Sequence, residues 1–303
     1  MDAAPLIIEA ALNGQTPKAA NPHVPISDDE VVEQAVACME AGAALIHTHT
    51  PEPIIGGPGR LDPELYATPW RRILEARPDA ILTPTMPVGQ EGVPVETRYA
   101  HIEVLAKRGL VAMGLCDPGT FNYSIRGEDG LFAPSTYLYR NDMSDSHYYV
   151  EACRRLSLGL SISIFEPGFV KFILAYVEAG RMPPGGLLKF YFGTNVVPFG
   201  LPPTETALAA YLEMIEGSGL PWLVSVFGDD CVDCGLAEQA ILRGGHVQVG
   251  LEPLGGGNGS VTNEALVDRV AQIAHKHGRP LATPAEAAGL LQLPQFPVRP
   301  QAA

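Results

Sequence analysis

The chain has 303 residues, of which 46% are hydrophobic, and a formal net charge of −14; its mean hydropathy is +0.09. That is enough chain to bury one large core, and it is too apolar for a disordered chain. No basic footprint for a nucleic acid or an anionic membrane is present, and no uncharged apolar run approaches the ~18 residues of a membrane span.

The first residues, MDAAPLIIEAALNG, carry an acid where a secretory leader carries a basic region, so a cytoplasmic protein is expected. The run LIIEAAL (6–12) reads as a strand, and SDDEVVEQAVACMEAG (27–42) as a helix with a Ser27/Glu30 capping box and a Gly42 stop. Strands are expected again at 44–49, 80–85, 110–116, 158–165, 187–194, 222–228 and 246–252. Helices fall between and after them at 62–77, 94–108, 168–180, 204–219, 233–244, 262–278 and 284–292. The Tyr- and Asp-rich stretch 123–157 reads as an extended loop plus a helix. Most of the strands are apolar on both faces, as in a covered parallel sheet. Eight such units predict a single (β/α)8 TIM barrel over 1–303. A doubly wound sheet is the runner-up, but ALNGQTPKAANP after the first strand lacks the GxGxxG of a nucleotide site.

In a barrel, chemistry sits at the C-terminal ends of the strands. LIHTHTPEP ends one strand with His47 and His49. Residues two apart share a face, so these imidazoles point together. GGHVQVGLEP ends another strand with Glu252. Two histidines and a carboxylate suit zinc with open positions, or a non-haem iron. Small polar groups end the other strands: Thr83 and Thr85, CDPGTFN (116–122), Glu166, Asn195, and Asp229 with Asp230. Glu9 interrupts an apolar strand, so it faces the barrel mouth or pairs with a cation, because an unpaired buried carboxylate is costly.

Five scattered cysteines do not make a disulfide framework, and Cys231/Cys234, a lone CxxC, reads as two partly buried thiols near a helix start. GGGNG (255–259) reads as a flexible connection in preference to an anion cradle.

Three stretches, PHVPISDDEVVEQAVACMEAGAALIHTHTPEP, CDPGTFN, and GGHVQVGLEPL with TNEALVDRVAQIAHKHGRPLATPAEAAGLL, resemble the β-keto acid cleavage enzymes nearly end to end. The resemblance implies a zinc-binding (β/α)8 barrel, assembled as a homotetramer or other homo-oligomer. It implies cleavage of a 3-keto acid with acetyl-CoA, giving acetoacetate and a new acyl-CoA. His47, His49 and Glu252 match the family's metal ligands, and Thr85, Thr120 and Asn122 fall at its substrate-binding positions.

The chain also departs from the family. HVRVGLED there is HVQVGLEP here, which puts Gln248 at its Arg and Pro253 at its catalytic Asp. Pro51-Glu52 replace an Arg-Asp, and Ser163 replaces a Glu. Neither proline nor glutamine does the chemistry of the residue it replaces. Proton transfer is therefore expected from Glu9, Glu166 or Asp230, with Asp229 beside it. Two other readings stay open. One is a zinc-dependent hydrolase or lyase that activates water without CoA; the other is a non-catalytic relative that only binds a small molecule.

Overall fold

The protein is described by a computed structural model covering residues 4–257 and 259–300. The first four strands are β1 (Ile8–Ala11), β2 (Leu45–His47), β3 (Ile81–Thr83) and β4 (Met113–Cys116). A short antiparallel pair follows, β5 (Phe121–Asn122) and β6 (Leu138–Tyr139). The last four are β7 (Gly159–Ile164), β8 (Gly186–Gly193), β9 (Trp222–Phe227) and β10 (His246–Val249). All but β5 and β6 join one parallel sheet in the order β3-β2-β1-β10-β9-β8-β7-β4. β3 and β4 meet across the remaining seam, where no ladder joins them among the described residues. This is the expected barrel, nearly closed.

The helices are α1 (Asp28–Glu40), α2 (Glu64–Ala76), α3 (Val95–Lys107), α4 (Met143–Leu156), α5 (Pro167–Glu178), α6 (Glu205–Met214), α7 (Leu236–Leu242), α8 (Leu251–Leu254), α9 (Asn263–Lys276) and α10 (Pro284–Leu290). Their starts follow the sequence signals. Ser27 and Glu30 form the capping box of α1, and Thr204 and Thr262 cap α6 and α9.

Strand alternation explains the interior. Ile7, Leu45, Ile81, Met113, Leu187 and Leu223 pack as an apolar plug with Ala287, Ala288 and Leu291 from the C-terminal helical segment. One pleat further along the same strands stand Glu9, His47, Thr83, Leu115, Lys189 and Ser225. Apart from Leu115, this second layer is polar, and all six residues are buried. The intervening residues, such as Ile8, Ile46, Leu82, Leu188 and Val224, belong to the core shared with the helices. An apolar plug thus closes one end of the barrel and a polar layer lies above it.

Several boundaries differ from the sequence reading: β2 stops at His47 and β3 at Thr83, so His49 and Thr85 lie just past their strands. The last strand stops at Val249, because Gly250 turns the chain at φ 145 and Glu252 then sits on the single turn α8. A Cβ at position 250 would lie 2.0 Å from the Ala11 carbonyl oxygen, so only glycine fits this turn. The stretch 123–157 contains α4 as expected, and its extended part folds back so that Leu138–Tyr139 pairs with Phe121–Asn122. The five cysteines are unpaired, with Cys231 buried just before α7. Of GGGNG, Asn258 lies outside the described residues.

His246 makes this packing sensitive to acid. The Ile7 N–H donates to His246 Nδ1 at 3.0 Å, a bond that needs a bare ring nitrogen. Burial, helped by the nearby Arg279 charge, pushes the imidazole down to about 3. The folded form therefore prefers the neutral ring. That preference contributes fully above the unfolded value of about 6.5 and is lost as pH falls below it, by roughly 2 kcal/mol at pH 5. Urea unfolding at pH 7 and pH 5 should show this loss, and His246→Gln should shrink it.

Candidate metal centre

His47 and His49 lie at and just past the end of β2, and Glu252 comes from α8. His47 Nδ1 is 3.1 Å from the Thr83 carbonyl oxygen, which can only accept, so Nδ1 carries the proton and Nε2 is bare. His49 is fixed through its backbone: its N–H donates to Asn13 Oδ1 at 2.8 Å, and its carbonyl accepts from Asn13 Nδ2 at 3.1 Å. Asn263 ties α8 to the end of β1, accepting from Leu251 N at 2.9 Å and donating to the Leu12 carbonyl at 2.9 Å. Gly14 leaves room for the Glu252 side chain. It has φ 54, and a Cβ there would lie 2.5 Å from Glu252 Cγ.

The three side chains converge. His47 Nε2 is 3.4 Å from Glu252 Oε2, and His49 Nε2 is 3.2 Å from Glu252 Oε1. Their ligand atoms all lie within 4.8 Å of one another. Burial, partly opposed by Glu252, pushes His47 down to about 4, so its ring is neutral near pH 7. Burial also acts to raise Glu252, but the charge of the protonated imidazoles beside it, His49 before His47, outweighs it and holds the carboxyl at about 2, so Glu252 loses its proton before His47 does. The bare Nε2 of His47 therefore faces an ionised carboxylate oxygen that has no hydrogen-bond partner among the described residues. Two acceptors aimed at each other repel unless a cation lies between them. With two imidazoles and one carboxylate, the donor set fits a divalent transition metal.

These residues open into a cavity of about 540 Å³ at the C-terminal ends of the strands. Thr85 lines it; its N–H donates to the Tyr66 hydroxyl at 3.1 Å, and its carbonyl accepts from His101 Nε2 at 2.8 Å. One wall is aromatic, with Phe121, Tyr139, Phe165 and Tyr191 packed ring on ring. Asp117 also faces the cavity and accepts from the Tyr139 hydroxyl; burial raises its carboxyl, against the Tyr139 and Ser163 hydrogen bonds.

Glu9 lies beneath this surface. Its Oε1 accepts from Lys189 Nζ at 2.6 Å and from Thr83 Oγ1 at 3.3 Å, so it does pair with a cation. Lys189, which lines the cavity, was missed by the sequence reading, although it interrupts LLKFYFGT just as Glu9 interrupts LIIEAAL. The other positions lie apart from the cavity lining. Glu166 begins α5 and accepts from Gly200 N at 3.3 Å. Asp230 accepts from Val232 N at 2.7 Å and pairs with Arg269. Thr120 is exposed, with its hydroxyl engaged by the Asn141 backbone, and Asn122 is exposed on β5.

The dependence of Glu252 on Gly14 is testable. Gly14→Ala should weaken divalent-ion binding by roughly tenfold or more, the usual scale for a disturbed support of a metal ligand. Titration with a divalent ion and a competing chelator reads this directly, and unchanged affinity would mean that Gly14 does not set the Glu252 position.

The sequence profile of the β-keto acid cleavage enzymes matches residues 5–293. The 3-keto-5-aminohexanoate cleavage enzyme of Acetoanaerobium sticklandii is 27% identical over 290 residues, 94% of this chain and 97% of that protein. The 3-oxoadipate:acetyl-CoA acetyltransferase of Cupriavidus necator is 26% identical over 306 aligned positions, 97% of each chain. Among solved structures, ObcA in binary complex with oxaloacetate superposes with a TM-score of 0.63 at 16% identity, over 90% of this chain and 68% of ObcA. That likeness shows the barrel alone, whereas the profile match spans nearly every strand and helix described above. The chain belongs to the β-keto acid cleavage enzyme family.

Proposed function

We propose that this protein cleaves a carbon–carbon bond of a 3-keto acid with acetyl-CoA as acyl acceptor, at a zinc ion held by His47, His49 and Glu252. The observation that carries this reading is the convergence of those three side chains at the cavity, with a neutral imidazole facing an ionised carboxylate. The family membership supports the reaction class. Relatives that use acetyl-CoA by name, including the 3-dehydrocarnitine:acetyl-CoA trimethylamine transferase of Rhizobium meliloti, support the acceptor.

When bound, the zinc would act as a Lewis acid toward the keto oxygen. The protein's own residues do the rest. Thr83 orients His47, Asn13 orients His49, and Gly14 and Asn263 set the position of Glu252. The aromatic wall keeps water from one side of the substrate. Thr85 is the proposed substrate contact, being the one residue of the three assigned that lines the cavity. Of the carboxylates put forward for proton transfer, Glu9 alone adjoins groups of the site, through Lys189 and Thr83. We therefore assign that role to Glu9 over Glu166 and Asp230. Five unpaired cysteines suit the reducing cytoplasm.

Elemental mass spectrometry of the purified protein should find about one zinc per chain, and His47→Ala/His49→Ala should lose it. Turnover of 3-keto acids should require acetyl-CoA and release acetoacetate. Turnover that persists without CoA would replace this reading with a hydrolase or lyase. Glu9→Gln should lower turnover at least tenfold and leave zinc content unchanged, and intact turnover would make Glu9 structural only.

A further inference from the structure

Lys189 is the one Lys or Arg among the described residues that line the cavity. Its side chain is 1% exposed, and Glu9 Oε1 at 2.6 Å is its one hydrogen-bond acceptor among the described residues. An ammonium has three N–H donors, so two remain to be filled. Glu9 likewise keeps one oxygen, Oε2, without a partner among the described residues. A buried ion pair that is incompletely hydrogen-bonded on both sides costs stability. Gln248 stands in register with Glu9 on the neighbouring strand and is neutral, so it adds no positive charge here.

Lys189 lines the same cavity as His47, His49, Glu252 and Asp117, and hydrogen bonds through Glu9 and Thr83 link it to His47, at the end of the cavity where the three metal-ligating side chains meet. A 3-keto acid carries its carboxylate carbon two bonds from the keto carbon. A keto oxygen directed at His47, His49 and Glu252 therefore brings a second negative group close to Glu252. That carboxylate needs a cation, and Lys189 is the one available from the cavity lining.

We propose that Lys189 Nζ, held in place by Glu9, binds the carboxylate of the 3-keto acid on the floor of the cavity. The proposal rests on the reading of the substrate as a 3-keto acid. It makes Lys189 a substrate-contacting residue, and it adds to the proton-transfer role assigned to Glu9 that of positioning Lys189. Selectivity should then favour acids over their neutral amides or esters, whatever the rest of the substrate carries.

The test is binding, measured by calorimetry on the zinc-loaded protein without acetyl-CoA, so that no acyl transfer occurs. The probes are freshly prepared acetoacetate, the shortest acid with a ketone at C3, and acetoacetamide, which keeps the keto group and loses the charge. The unsubstituted protein should bind the acid about ten- to a hundredfold more tightly than the amide, the scale of a hydrogen bond to a charged group. Lys189→Met alone leaves Glu9 buried and unpaired and is prone to misfold, so the decisive variant is Lys189→Met/Glu9→Gln, which removes both charges. It should bind acid and amide within about twofold of each other, with amide affinity unchanged. Retained amide binding shows that the metal centre is intact.

A double variant that still prefers the acid overturns the proposal, as does an unsubstituted protein with no preference or no binding of either probe. Borohydride trapping of acetoacetate on Lys189 also overturns it, because an amine consumed in an imine is not a cation held for a carboxylate. Failure of the cleavage reading would look different: the acid preference would depend on Lys189 as stated, yet no 3-keto acid would react with acetyl-CoA.

Discussion

Two acceptors pointed at each other set the terms for this barrel. The Thr83 carbonyl accepts a hydrogen bond from His47 Nδ1, which leaves a lone pair on Nε2 facing Glu252 Oε2 at 3.4 Å. In a buried, low-dielectric setting such a contact is repulsive unless a cation intervenes. The supports around it act to hold the repelling groups together. Asn13 clamps the His49 backbone on both sides, Gly250 turns the chain so that Glu252 leaves the strand direction, and Gly14 leaves space for its side chain.

The barrel can carry this arrangement because its interior is divided. The apolar plug at one end supplies ordinary packing. One pleat above it, five of six strands in the same inward register place a polar group. Glu9, Thr83 and Lys189 are linked there by hydrogen bonds, and Thr83 joins them to His47. The metal-ligating cluster and the Glu9–Lys189 pair are thus one connected network. A single threonine separates Glu9 from His47.

Much of this was legible in the sequence. The apolar runs marked all eight barrel strands, and His47 and His49 at a strand end come together with the distant Glu252 because strand ends converge in a barrel. Glu9 stood out because a charge inside an apolar run needs a reason. Lys189 gave the same signal, but its partner lies 180 residues away and nothing local connects them. Strand-end position alone does not set the side-chain direction of Glu166 and Asp230. It fixes where the backbone is, while the side chains turn to the Gly200 N–H and to Arg269. Asn13 and Gly14 carried no signal of their own in the sequence, since their roles depend on His49 and Glu252, which are brought to them only by folding. The end of the last strand was misplaced by the apolar Leu251, and the turn at Gly250, with its positive φ, explains why.

The most direct test of the central claim is an anomalous difference map at the zinc edge, from crystals of the zinc-loaded protein. The account predicts one strong peak per chain, bonded to His47 Nε2, His49 Nε2 and the Glu252 carboxylate. A peak elsewhere, or full zinc content with none among these three residues, would contradict it.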